Sequence, residues 1–387
     1  MKIRKEHMFK RADAESCRHS SGDLRRRRLR LLACAALTTL ALASFCACGQ
    51  EEPEAEEPET FEIAMITDEV GVRDGSYHEE TWSAIQAFSE ENGMTCQTIA
   101  SEDSEPAYMR AIRKAKQDGA KLVVLAGSQL ETVAYKAQAK YNNLYFVLLD
   151  GVPRDADYNY ETASNCAGVL FAEEQAGFLA GYAAVCEGYT NIGFMGGDEL
   201  PPVKRFGYGF VQGVSAAADD NATGQINVKY TYTGTFEASD EIESEAFVWY
   251  DQGTEVIFAC GGSIGESVMA AAETAGGSVI GVDADQSGMS ETVITSAKKE
   301  TGRAITDILK NYKRNNFPGG SIMNYSVEND GIDLEMTNSR FTLFTQEEYD
   351  ALLAQIRSGD RTILKDTDKK SVKSLAGDKV KVKIVKD

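Results

Sequence analysis

Gly71-Val72-Arg73-Asp74-Gly75-Ser76-Tyr77-His78-Glu79-Glu80-Thr81-Trp82 follows closely on the apolar run Phe61-Glu62-Ile63-Ala64-Met65-Ile66. A buried strand that ends in a polar loop, and a loop that runs into a helix with the apolar face Trp82, Ile85 and Phe88, make a βα unit. Asn92-Gly93 closes that helix. Loops at the carboxyl ends of parallel strands are where open α/β folds bind small molecules. This one gathers an acid, a hydroxyl, an aromatic ring and the only histidine beyond residue 47.

Outward from this unit the chain repeats the pattern. Apolar runs at 61–66, 94–100, 122–126, 145–149 and 166–171 alternate with helical patterns such as 106–117 and 131–141. Strands separated by helices of that length predict a parallel sheet built from right-handed crossovers. After a helix over 173–186 the alternation begins again, with strands at 191–195, 226–231, 256–260, 279–282 and 292–296 and helices between them. The fold class is therefore α/β, with two doubly wound parallel-sheet lobes. Lobe 1 is expected over 61–170, completed by about 290–320, and lobe 2 over 171–285, completed by about 321–387. The tail is expected to hold a hairpin-like region near 321–336, a helix over 346–356 and a basic end.

Residues 1–47 pattern as a signal peptide, a basic region with Arg25 to Arg28 and Arg30 before an uncharged apolar run from 31 to 47. Phe45-Cys46-Ala47-Cys48-Gly49 has the form of a lipoprotein processing box, with Cys48 as the acylated residue. Residues 49–60 hold six glutamates and two prolines without a large apolar side chain, which makes them a solvated linker. Without residues 1–47 the chain has 29 lysines and arginines against 56 acids, a formal charge of −27. Such a protein repels nucleic acid. Cys96, Cys166, Cys186 and Cys260 show no C-x-x-C spacing, so no metal knuckle or redox motif is expected, and the sequence leaves their pairing open.

The carboxyl ends of the expected strands deliver Asp68, Asp74, Gly127-Ser128 and Asp150 from the first array, and Gly196-Gly197, Gly261-Gly262-Ser263 and Asp283-Ala284-Asp285 from the second. Two such rims facing each other form a cleft. Any one of these aspartates has capping of the next helix as its ordinary alternative. Gly261 to Gly265 lacks the Gly-Lys-Ser/Thr of a triphosphate loop. Ser296-Ala297-Lys298-Lys299 matches the Ser-x-x-Lys of serine acylases by type, with no companion Lys-Thr-Gly. With His78 as the single histidine of the later chain, neither a multi-histidine metal site nor a Ser-His-Asp triad is supported.

Several motifs in order resemble the basic membrane protein family, the purine nucleoside receptor group of substrate-binding lipoproteins for ABC importers. They are Asp68 through Trp82; Phe146 through Gly151; Ala167 through Phe171 with the Gly177 to Gly181 helix; Gly196-Gly197 with Phe206 to Phe210; Val279 through Gln286; and Thr295 through Lys299. The resemblance implies a two-lobed, type I periplasmic-binding-protein-like receptor, not an enzyme, that closes on its ligand by hinge motion and needs no cofactor. It implies a ring-stacking pair at Tyr77 and Phe206. Base-edge groups fall on Asp68 or Asp74, His78 and Asp150, and ribose contacts on Asp283, Lys299 and the Gly261-Gly262 turn. The implied partners are a nucleoside-like solute and a membrane permease, at the extracytoplasmic face of a bacterial membrane, with the lipid as anchor. Where the family carries Asp-x-Ser-Phe-Asn, this chain has Asp74-Gly-Ser-Tyr77-His78, which leaves base preference open and admits a non-nucleoside ligand. A receptor of the same fold feeding a membrane sensor is the alternative role, and a serine acylase using Ser296 and Lys299 a more distant one.

Overall fold

The computed structural model describes residues 61–385 apart from 70, 222, 369 and 370. The expected signal peptide, the acylated Cys48 and the acidic linker lie outside the described residues.

The chain opens with β1 (Ile63–Thr67), α1 (Tyr77–Asn92), β2 (Cys96–Ala100), α2 (Glu105–Gln117), β3 (Leu122–Ala126), α3 (Glu131–Lys140), β4 (Tyr145–Leu149) and β5 (Cys166–Phe171). It continues through α4 (Glu173–Cys186), β6 (Asn191–Gly196), α5 (Pro201–Asp220), β7 (Ile226–Tyr232), α6 (Asp240–Asp251), β8 (Val256–Cys260), α7 (Ile264–Ala275) and β9 (Ser278–Asp283). The last elements are β10 (Val293–Lys299), α8 (Thr301–Lys313), β11 (Ile322–Tyr325), β12 (Ile332–Leu334), α9 (Gln346–Ser358) and β13 (Val380–Ile384). Local chemistry sets the boundaries. Ser104 caps α2 by accepting from the Ala107 N–H, Thr345 and Glu348 form a capping box on α9, and Gly93 and Gly276 stop α1 and α7 in left-handed conformations.

The strands form two sheets, in the orders β11-β5-β4-β3-β1-β2 and β12-β10-β9-β8-β6-β7-β13. Every pairing is parallel except β12 against β10. Strands such as β3 (LVVLA) and β8 (VIFAC) are buried along their whole length, because helices cover both faces of a parallel sheet. The fold is thus two doubly wound α/β lobes.

The 321–336 region is not a hairpin. β11 pairs parallel to β5 in the first sheet and β12 pairs antiparallel to β10 in the second, so a turn over Val327–Asn329 carries the chain between lobes. The strands that complete each sheet also differ from the expected division. β10 at 293–299 belongs to the second sheet, held by its parallel register with β9, while β11 within 321–387 belongs to the first. The chain therefore crosses between the sheets three times, after β5, after β10 and after β11. α8, on the far side of the second crossing, packs on α1.

α4 and α5 meet at backbone distance. A Cβ at Gly209 would lie 1.9 Å from the Glu174 carbonyl oxygen, and one at Gly177 would lie 2.0 Å from that of Phe206. Only glycine allows this approach, and it seats the second and third turns of α5, with Phe206, against the start of α4.

Candidate functional site

α1 begins at Tyr77, so Tyr77 and His78 are first-turn helical residues and not loop residues. Asp74 fixes that turn. Its Oδ1 accepts from the N–H groups of Ser76 (3.1 Å) and Glu79 (3.0 Å), and its Oδ2 accepts from that of His78 (2.9 Å). This carboxylate, expected on a ligand, holds the amino terminus of the helix, where its charge also complements the helix dipole, and it lines the cleft as well. The Ser76 hydroxyl donates across the cleft to Asp283 Oδ2 at 3.0 Å, and the Gln286 amide donates to the Gly75 carbonyl at 3.1 Å. The opening loop is thereby tied to the end of β9.

Asp150 and Asp283 terminate β4 and β9 with φ of 62° and 65°. That left-handed conformation is uncommon for residues other than glycine, though aspartate is among those that tolerate it. Both side chains reach one cation. Lys299, at the end of β10 and 3% exposed, places Nζ 2.7 Å from Asp150 Oδ2 and 3.2 Å from Asp283 Oδ1. Burial works to discharge the ammonium, but Asp150 and then Asp283 outweigh it and hold Lys299 protonated above its ordinary value. Burial also pushes both carboxyls up, against the pull of Lys299, since two acids share one cation.

The other expected residues line the same cleft. Phe206, 2% exposed, stands on its second-lobe wall and meets Phe258 edge to face at 5.9 Å, while Phe210, one turn on, packs against Phe194 and Phe258 in the core. Gly261 (φ 146°) and Gly262 (φ 53°) form a turn against the 236 loop, where a Cβ at Gly262 would meet the Phe236 carbonyl oxygen at 2.8 Å. His78 Nδ1 is buried without a hydrogen bond, 3.8 Å from Asp68 Oδ1 and 3.7 Å from Asp74 Oδ2. The cleft holds about 660 Å³ of space between its walls, with the open mouth to solvent included.

Some lining residues had not been singled out as ligand contacts. Phe236 projects from the loop after β7, which the rule about strand carboxyl ends would have found, and Gln129 follows Ser128 after β3. Glu173 and Arg205 lie beneath the floor, joined at 3.0 Å, and Arg205 also reaches Asp366 at 3.3 Å. Burial pushes the Glu173 carboxyl up while Arg205 pulls it down. Glu173 opens α4 and Arg205 lies one turn into α5, and neither carried a distinguishing signal in the sequence.

Ser296 and Lys299 do not make an acylation pair. Ser296 is fully buried within β10, three residues before Lys299 and so toward the opposite face, and its Oγ accepts from the Gln286 N–H at 3.0 Å. Cys96, Cys166, Cys186 and Cys260 are all free, and among the described residues no cluster of histidine, cysteine, aspartate or glutamate could hold a metal ion.

The architecture of two α/β lobes is shared with known proteins. The family model for PnrA-like ABC transporter substrate-binding proteins matches residues 61–364. The chain belongs to that family. This PnrA-like protein is 29% identical to the ABC transporter nucleoside-binding protein BmpA of Lactococcus lactis subsp. cremoris (strain MG1363), over 80% of its own length and 92% of that protein's. It is 30% identical to basic membrane protein A1 of Borrelia garinii subsp. bavariensis, over 81% and 90%. Among solved structures, solute-binding proteins of ABC transporter systems from Aeropyrum pernix K1 and Conexibacter woesei DSM 14684 superpose with TM-scores of 0.64 and 0.61, each at 21% identity. They cover 81% and 79% of this chain and 90% and 99% of their own, and share the fold. The PnrA-like chain is a substrate-binding protein, not an enzyme, and its family membership implies a small-molecule ligand and a membrane permease. No helix among the described residues is long and apolar enough to cross a membrane.

Proposed function

We propose that this protein captures a nucleoside, with a purine as the favoured base, in the cleft between its lobes and presents it to an ABC permease at the extracytoplasmic face. Acylated Cys48 is its anchor, exposed once a signal peptide over 1–47 is removed. The observation that carries the reading is the pairing of two aromatic rings, Tyr77 from the first lobe and Phe206 from the second, over a floor of Asp150, Asp283 and Lys299. Rings stack on a flat base, carboxylates accept from hydroxyl and ring N–H groups, and an ammonium donates to ligand oxygens. Asp68 and His78 lie at the edge of the cleft where a base would be read, and Gly261-Gly262 lets the backbone approach the sugar. The nucleoside-binding name of the Lactococcus relative agrees with this assignment.

Thermal melting of the purified protein with a panel of purine and pyrimidine nucleosides tests it. A ligand at 100 times its Kd adds about 2.7 kcal/mol to stability, so at least one purine nucleoside should raise the melting temperature by several degrees. No shift with any nucleoside at millimolar concentration defeats the assignment.

A further inference from the structure

Five side chains converge on the Lys299 ammonium. The ring centroids of Tyr77, Phe171 and Phe206 lie 4.5, 5.6 and 5.7 Å from Nζ, and the carboxylates of Asp150 and Asp283 lie 2.7 and 3.2 Å away. Three aromatic faces and two buried acids around one small cation is the arrangement that recognises alkylammonium solutes. Here the cation is part of the chain. The floor and the layer beneath it are still acceptor-rich after Lys299 is counted, since Asp150 Oδ1 and Glu173 Oε1 are buried without a hydrogen bond. Four carboxylates, those of Asp150, Asp283, Glu173 and Asp366, face two cations, Lys299 and Arg205.

We propose that Lys299 is a specificity-determining residue that acts as an internal ligand, its ammonium filling an alkylammonium box and thereby closing the cleft to cationic solutes. An incoming cation would have to expel a charge that cannot leave, or share the box against like-charge repulsion from an ammonium that is itself buried. A solute that brings oxygen or nitrogen acceptors meets no such barrier, because the ammonium can turn a proton toward it. The box does not depend on the solute being a nucleoside; only the identity of the neutral ligand rests on the preceding reading.

The side chain removed by Lys299→Ala corresponds to propylammonium, which makes chemical rescue a direct test. Melting of that variant is expected to rise by several degrees with tens of millimolar propylammonium chloride and to stay within about one degree with equal 1-propanol or sodium chloride. The wild type should respond to none of the three. Equal responses of the variant to propylammonium and sodium chloride overturn the proposal. Lys299→Met keeps the packed methylene stem and guards against a folding failure of the alanine variant. Titration calorimetry should show it binding methylammonium, which needs little more than the space of the lost ammonium, at least about tenfold more tightly than wild type, and equal affinities overturn the proposal as well. The nucleoside panel on wild type fails or succeeds separately: no nucleoside shift removes the ligand assignment, whereas no propylammonium effect removes the box.

Discussion

Glu80 lies on the first turn of α1, and its Oε1 accepts from the Gly302 N–H at 3.3 Å, which joins that turn to the β10–α8 crossing. Its Oε2 is buried without a hydrogen bond. Burial pushes its pKa from 4.5 to about 7, with the Gly302 N–H pulling down and Glu300 and Asp283 pushing up. The folded state therefore binds this proton more tightly than the unfolded chain. The stability contributed by protonated Glu80 is fully present below about pH 4.5 and is lost as pH rises through about 7. At about 1.4 kcal/mol per pH unit, the gap amounts to about 3 kcal/mol at most. Glu80→Gln keeps an acceptor for Gly302 and removes the charge. The variant should match wild type near pH 4.5 and exceed it by about 2 to 3 kcal/mol at pH 8. Urea unfolding from pH 4.5 to 8.5 reads this difference directly. A difference that stays constant across that range, or a variant less stable than wild type at pH 8, refutes the reasoning.

Asp74→Ala leaves three N–H groups at the start of α1 without their acceptor and should cost about 1 to 3 kcal/mol in urea unfolding. Since that turn carries Tyr77 and His78, ligand affinity should fall too. Gly209→Ala drives a methyl group against the Glu174 carbonyl and should cost at least about 2 kcal/mol by denaturant midpoint, whereas Gly288→Ala, with nothing within 4 Å, should stay within about 0.5 kcal/mol.

The alternation of apolar runs and helices made the two α/β arrays readable, because a strand buried on both faces is a short continuous apolar run such as β3 or β8. The strand-end rule pointed to Asp68, Asp150 and Asp283, and the family resemblance pointed to Lys299; all four line one cleft. Periodicity reports burial and not partners, so the short β11 and β12 passed for a hairpin when their pairing is decided by strands far away in sequence. Asp74 shows a second limit. A carboxylate ahead of a helix serves ligand or helix start equally well on paper, and only the position of the first helical residue, Tyr77, shows that Asp74 holds that turn. Glu173 and Arg205 were illegible for another reason: their pairing under the cleft floor depends on the glycine-mediated crossing of α4 and α5.

Both sheets receive an outer strand from late in the chain, β11 beside β5 and β13 beside β7. During synthesis, and in any product truncated before residue 322, β5 and β7 would stand as bare hydrogen-bonding edges, which are templates for pairing with another chain. The final strand meets that hazard twice. It covers β7, and it turns exposed Lys381 and Lys383 outward along its own edge, where a stacked neighbour would have to bury their charges. Loss of the last residues would therefore show first as self-association, before any change in what the cleft holds.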